Sequence, residues 1–290
     1  DLHSFPTRRS SDLWQTGNNI DWFDVVMRDK PVIQNYDVSY SGSTNKVNYY
    51  ISGSYTGEEG IIVNDQWDRL TFNSKVDGKI TDWMSVGFNV NYSYQDYSGR
   101  EPAFVDVRKA SPLANNDLES PDKYVVYLTG ENYMPHPLGW TKIKNEDIRN
   151  SLFLVAGTRM EVPFVKGLSY DFNYSNTYWN RKNNSFYPAS MHSGAANKGK
   201  AEKIPEEERS WIFNNIITYL RSFGEHSINA TLLYSREKST GEKFRFTSEG
   251  FENEALGYYQ MGFGTILSTG DNAKRSEEHT SELQSLGRIS

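Results

Sequence analysis

The chain has 290 residues, 31 Lys and Arg against 37 Asp and Glu, and no cysteine, for a net charge of -6. Without cysteine there is no disulfide scaffold, thiolate zinc site or thiol nucleophile, the mild acidity leaves no electrostatic footprint for nucleic acid, and no run of about 18 apolar residues is available for a membrane helix. An aromatic content of 14%, from 19 Tyr, 15 Phe and 7 Trp, is too high for a disordered chain, while a mean hydropathy of -0.70 fits a β protein whose alternate residues meet water, either secreted or a transmembrane β-barrel.

In chain order, the first segment, Asp1 to Leu13, reads DLHSFPTRRSSDL, and the last, Arg275 to Ser290, reads RSEEHTSELQSLGRIS. Both resemble in-frame translations of the adapter oligonucleotides used to prepare DNA sequencing libraries. Such segments are set aside before fold reasoning. Residues 1–13 and 275–290 are expected to be adapter-derived and to pack against nothing. Residues 14–274 are expected to be an internal piece of a longer gene, since they carry neither an initiator Met nor a signal peptide.

Between these ends the dominant signal is alternation. Ile33 to Ser41 is a weak strand candidate, and Val47 to Tyr55 is a stronger one, setting Val47, Tyr49, Ile51 and Tyr55 against Asn48, Ser52 and Ser54. Leu70 to Val76 follows. Met84 to Gln95 alternates without error, with Met84, Val86, Phe88, Val90, Tyr92 and Tyr94 on one side and Ser85, Gly87, Asn89, Asn91, Ser93 and Gln95 on the other. That is period 2, not 3.6. Leu152 to Val162, Leu168 to Tyr174, Trp211 to Arg221 and His226 to Ser235 complete about eight strands of a length near the ~9–11 residues that cross a bilayer on a tilt.

The connections alternate in length. Gly42 to Asn45, Asp77 to Trp83, Pro163 to Gly167 and Ser222 to Glu225 are short; Gly57 to Gln66 is longer, and Ser98 to Asn150 and Asn180 to Glu208 are long loops. Short turns at one end and long loops at the other are the habit of outer-membrane barrels, whereas a soluble sandwich spaces its turns more evenly. Trp83, Tyr92, Tyr94, Trp179, Trp211 and Tyr219 lie near strand ends, where a membrane interface favours such rings. The fold expected is all-β: an antiparallel meander forming part of the wall of a large transmembrane β-barrel, open at both edges, with long extracellular loops. The apolar row of Met84 to Tyr92 should face lipid and the Asn row the lumen.

Residues Gly17 to Ile62 carry a family pattern. Asp21-Trp22 is followed by the strand ending SYSG, then by Asn48-Tyr49-Tyr50-Ile51-Ser52 and Glu58-Glu59-Gly60-Ile61. Arg69 opens the next strand, Ile80-Thr81-Asp82-Trp83 forms a turn, and Phe223 to Asn229 reads FGEHSIN. In combination these resemble the SusC/RagA family of TonB-linked outer-membrane transporters, with Ile20 a departure where the family favours Thr. The resemblance implies outer-membrane import of large nutrients, oligosaccharides or peptides, powered by the TonB complex through N-terminal regions and served by a SusD-like surface lipoprotein. Outer-membrane lipid would be the other partner, and no cofactor is implied. The alternative is a secreted β-rich adhesin or glycan-binding domain without a transport role.

Enzyme chemistry finds no support. His136, His192 and His226 make no i, i+4 pair and no metal motif. Glu206-Glu207-Glu208 reads as a solvated loop, because glycosidase carboxylates must converge across a cleft. Gly262-Phe263-Gly264 lacks the helix that a phosphate loop needs. Ligand candidates come instead from the long loops, where aromatic rings stand among Asn, Asp and Pro: Tyr133, Trp140 and Tyr187, with Tyr124, Tyr127, His136, Phe186, Met191 and His192 around them. The same rings are also suited to packing the loops against one another.

Overall fold

A computed structural model describes residues 19–113, 124–128, 134–270 and 274–289. Eleven strands belong to one sheet and every pairing is antiparallel. In chain order they are β1 (Val32–Ser43), β2 (Val47–Glu59), β3 (Gln66–Lys79), β4 (Met84–Asp96), β5 (Lys144–Glu161), β6 (Leu168–Tyr187), β7 (Lys200–Phe223), β8 (His226–Lys243), β9 (Phe246–Phe251), β10 (Gly264–Thr269) and β11 (Lys274–Ile289). The strands from β1 to β8 follow one another as a meander, β11 lies beside β8, and β9 joins β7 to β10. The sheet does not close on itself. No second sheet packs against it among the described residues.

All eight expected strands are present, but the outer boundaries differ. The segments 144–150, 180–187, 200–209 and 236–243 form regular ladder. The expected long loop Asn180 to Glu208 therefore shrinks to residues 188–199, and Glu206-Glu207-Glu208 sits in β7 rather than in a solvated loop. Here the ladder needs no apolar alternation. Backbone bonds and cross-strand pairs such as Lys182–Glu146 (2.7 Å) hold it. Strands β9 and β10 were not anticipated. The gap between β8 and β9 along β7 falls beside Pro205, which has no N–H to offer a ladder, and whose carbonyl accepts from the Phe244 N–H at 3.1 Å.

The C-terminal segment also departs from expectation. Rather than packing against nothing, Lys274–Ile289 pairs with β8 from Lys243 to Ile228. The physical reason is that a strand edge offers a row of free N–H and C=O groups that any extended segment can match, whatever its side chains. Its letters, KRSEEHTSELQSLGRI, do not alternate as a wall strand's do, and Leu283 stands exposed. Residues 1–13 lie outside the described residues.

Registered partners share a face of the sheet, so the pairing assigns both faces. Val76, Phe88, Ala156, Tyr174 and Phe213 form one row across β3 to β7, and Met84, Met160, Tyr170, Ile217 and Leu232 another across β4 to β8. The opposite face carries Asp77, Gly87, Gly157, Asn173, Asn214 and Ser235 in a single row. Large apolar side chains on the first face are open: Phe72, Phe88, Ile217, Leu232 and Tyr234 are all exposed. The buried hydrophobics lie elsewhere, at one end of the sheet.

That end is where the connections after β2, β4, β6 and β8 gather. A short helix α1 (Trp22–Val26) is capped by Asp21, whose carboxylate accepts from the N–H groups of Phe23 and Asp24. Trp22 and Val26 pack with Val107 of helix α2 (Phe104–Lys109), Leu128, Leu138 and Val63. The Val63 N–H donates to the Val26 carbonyl at 2.9 Å, and the Trp22 Nε1–H donates to the Ser111 carbonyl, also at 2.9 Å. A second small core joins Phe186, Ala201, Phe251 and Tyr258. The molecule is thus a wall with one apolar and one polar face, and a packed cap over one end.

Candidate functional site

On the polar face, just below the cap, one register row runs Arg69, Gln95, Arg149, Arg181, Glu206, Lys243 across β3 to β8. Five of these six residues are charged, and together with neighbours in the next row they interlock. Arg181 grips the buried Asp147 with both prongs, Nε to Oδ1 at 2.7 Å and Nη2 to Oδ2 at 2.6 Å. Two parallel charge-assisted bonds of this kind fix orientation as well as position. Arg149 reaches the same carboxylate with one Nη2 at 3.3 Å and lies 4.2 Å over the Tyr97 ring. Tyr97 stacks on Trp67 at 5.9 Å, and Arg69 sits 5.6 Å from the Trp67 ring. Trp67 Nε1–H donates to Glu58 at 2.7 Å, and Lys243 bonds Glu206 at 3.1 Å. The result is a belt of guanidinium groups, rings and carboxylates from β2 to β8. Asp147, Arg149, Arg181, Tyr97 and Asn183 line a cavity of about 240 Å³ beneath the connections 60–65 and 97–101.

Sequence reasoning missed this belt. Arg69 was singled out as a family motif and heads it; Arg149, Arg181 and Asp147 were not. The only signal for them is the register: once Gln95 is paired with Arg149 and Arg149 with Arg181, the row can be read from the letters.

The remaining predicted residues separate. Asp21 and Trp22 act in the cap, as described. Gly60 closes the β2–β3 connection: its N–H donates to the Asp65 carbonyl at 2.8 Å, its carbonyl accepts from Arg28, and the Asp65 side chain occupies the space a Cβ would need. Asp82 and Trp83 form the opposite, tight turn between β3 and β4, where the Trp83 carbonyl accepts from the Glu161 N–H at 2.7 Å. Trp140 lies in the 3-10 turn Pro137–Lys142, its Nε1–H donating to Asp106 at 2.7 Å and its ring 5.0 Å from that of His192 in the short helix α3 (His192–Ala195). Tyr187 is the last residue of β6, half-buried and paired with Lys200, not a loop residue. Phe186 beside it is buried against Phe251 at 5.2 Å. Tyr133 lies outside the described residues. Trp140 and Tyr187 thus sit in different parts of the capped end, one in the 3-10 turn and the other at the end of β6.

His136 is the most constrained titratable group of the cap. Only 1% exposed, it stacks on Tyr124 at 4.7 Å and meets the Trp22 ring edge-on at 5.4 Å. Its Nδ1 accepts from the Leu138 N–H at 3.1 Å, so the neutral ring carries its proton on Nε2, which has no partner. Burial, and then the Lys142 ammonium nearby, push its pKa down to about 4. Burial also lowers His192 and raises Tyr124.

An open antiparallel sheet with an exposed apolar face, a polar face and long connections at one end is the architecture of a strip of transmembrane β-barrel wall. Comparisons with known proteins agree. No family model matches the chain. It is 27% identical over 252 residues to the TonB-dependent receptor P26 of Formosa agariphila, covering 84% of this chain and 25% of that protein. To the TonB-dependent receptor P3 of the same organism it is 24% identical over 286 residues, covering 92% and 28%. The chain thus spans about a quarter of the length of these curated relatives. Among solved structures, it superimposes on the RagAB peptide transporter with a TM-score of 0.68 at 17% identity, covering 94% of this chain and 31% of that one. The open-open state of the RagAB peptide importer gives 0.67 at 17% identity, covering 92% and 30%. The chain is homologous to the TonB-dependent outer-membrane transporters of the SusC/RagA family, and the homology carries an outer-membrane location. Among the described residues no group of three or more His, Asp and Glu converges as a metal site.

Proposed function

We propose that this chain is part of the wall of an importer that carries large nutrients, oligosaccharides or peptides, across the outer membrane. In this reading a SusD-like lipoprotein docks on the cap and delivers cargo, the apolar face meets outer-membrane lipid, and the TonB complex supplies energy through other parts of the transporter. The observation that carries the reading is the placement of hydrophobic groups. The buried ones cluster in the cap, whereas Phe72, Phe88, Ile217 and Leu232 on the sheet stay open. A secreted binding domain would cover such a face with a second layer.

Trp140 and Tyr187 of the cap region are our ligand candidates, together with Tyr133, which lies outside the described residues. We also propose that 1–13 and 275–290 are adapter translations and that 14–274 is the transporter segment. Resequencing the source DNA would replace both strings with residues that continue the gene. To test import, the full-length gene would be deleted in its host and growth measured on defined oligosaccharides and peptides. Loss of growth on one cargo class, matched by a tonB deletion, supports the reading. Unchanged growth on every class, in a host without a second copy of the system, contradicts it.

A further inference from the structure

We infer that the cavity under the cap is a carboxylate-binding subsite, with Arg149 as the residue that holds the anion. The inference rests on the import reading and deepens it, since it assigns acidic cargo to this wall.

The argument begins with how donors are spent. Asp147 is the one carboxylate at the cavity floor, and Arg181 takes both of its oxygens at 2.7 and 2.6 Å. Arg149 is left with a single longer contact of 3.3 Å to Oδ2. Its Nε is enclosed and has no partner. A guanidinium presents its donors in a planar fork that matches a carboxylate. Here one face of that plane is held against Tyr97 at 4.2 Å, so the group is fixed while its edge is uncommitted. The Nε is closed to solvent and so to a ligand, but the Arg149 side chain as a whole is 34% exposed, and it is the terminal Nη groups that would meet an incoming carboxylate.

The charges point the same way. Two guanidinium groups share one carboxylate at the floor, leaving a net positive charge where water is partly excluded. The carboxylates of Asp65 and Glu101, and the cation of Arg100, stand at the exposed rim, where solvent and salt weaken their reach. Asn183 lines the floor as a further polar contact. The volume of about 240 Å³ suits a single acidic unit rather than a whole oligomer, being at the small end of ligand pockets, which run from about 300 Å³ upward. The position is apt for cargo rather than for a contact within the wall, because the cavity opens beneath the connections at the capped end. A uronic sugar and an acidic or C-terminal peptide unit present the same carboxylate.

The test uses the full-length transporter purified in detergent, with trigalacturonate and triglutamate as probes and galactotriose and triglutamine as their neutral counterparts. Binding is followed by tryptophan fluorescence, since Trp67 stacks on Tyr97, and by calorimetry. We expect at least one acidic probe to bind more tightly than its neutral counterpart, and the Arg149→Gln variant to weaken that probe by 10-fold or more while leaving the neutral ones unchanged. Which acidic probe responds distinguishes a sugar from a peptide source. Asp147→Asn provides the opposite sign: releasing Arg149 from its internal carboxylate should tighten the acidic probe several-fold. Acidic and neutral probes that bind alike in the wild type, or that respond alike to Arg149→Gln, overturn the subsite, as does weaker acidic binding in Asp147→Asn. Arg149-dependent binding without TonB-dependent uptake would leave the subsite standing and remove the import reading. TonB-dependent uptake of acidic cargo that ignores Arg149→Gln would do the reverse.

Discussion

Placing an arginine on the apolar face should block assembly of the wall, while the same arginine three residues along the strand on the polar face should not. Phe88 is the position of choice. It is 48% exposed, and its row neighbours are Val76 and Ala156. The tight turn ending at Trp83 marks one membrane boundary, and the ~9–11 residues needed to cross the bilayer then put its midplane near Phe88 and Val90. Arginine at the midplane of a barrel's lipid face costs roughly 2–4 kcal/mol. That corresponds to about a 30- to 1,000-fold loss in the folding equilibrium, before the lost burial of the ring in lipid is added. Asn91→Arg faces the lumen. It forfeits its bond to Asn73, about 0.5–1.5 kcal/mol, and leaves the charge in water. Both variants would be made in the full-length protein and refolded into liposomes from urea, with heat-modifiable mobility as the readout of the assembled barrel. Phe88→Arg should lose most of the folded band where Asn91→Arg retains it. Equal yields, or the reverse order, would refute the assignment of faces.

Three further outcomes follow from the packing. His136 is held neutral by burial with a pKa of about 4, below its unfolded value, so its contribution is complete above about pH 6.5 and declines as the pH falls toward 4. The cap should therefore weaken by about 3 kcal/mol across that window, seen as faster amide exchange in 124–128 and 134–142, and His136→Asn should flatten the dependence. Trp22→Ala removes a side chain only 3% exposed and should cost the cap about 3–5 kcal/mol, with exchange rising in 20–28 and 103–113 but not in β4 to β7. Residues 14–274 expressed without detergent should aggregate, because the apolar face and the free edge of β1 both stay open; a monodisperse monomer with a sharp thermal transition in light scattering and calorimetry would contradict this.

What could be read in the letters follows the membrane itself. Met84 to Gln95 alternates because one face of the sheet is apolar and the other polar, and β4 is where its letters place it. Toward the cap both faces carry polar residues, so the outer halves of β5 to β8 lose the pattern. KNEDIRN, NRKNNSFY and KAEKIPEEER look like loop, yet they are ladder held by backbone bonds and pairs such as Lys182–Glu146 and Lys243–Glu206. The turn at Ile80-Thr81-Asp82-Trp83 was legible because its chemistry is local, whereas the five-residue helix that Asp21 caps is too short to show a periodicity and was not read from the letters. The belt was not, because Asp147 and Arg181 lie 34 residues apart and meet only through strand register. The same holds for His136 against Trp22, a contact made by two distant connections folding onto each other.

The central claim, that this sheet is a barrel wall with lipid on one face, is tested most directly by spin labels placed singly along Met84 to Gln95 of the full-length protein in liposomes. Collision rates with oxygen and with a water-soluble nickel chelate are measured at each site. The account predicts a two-residue alternation, with oxygen contact high at Met84, Val86, Phe88 and Val90, and nickel contact favoured at Ser85, Gly87, Asn89 and Asn91. Low oxygen access at both sets would mean that protein, not lipid, covers the apolar face, and would contradict it.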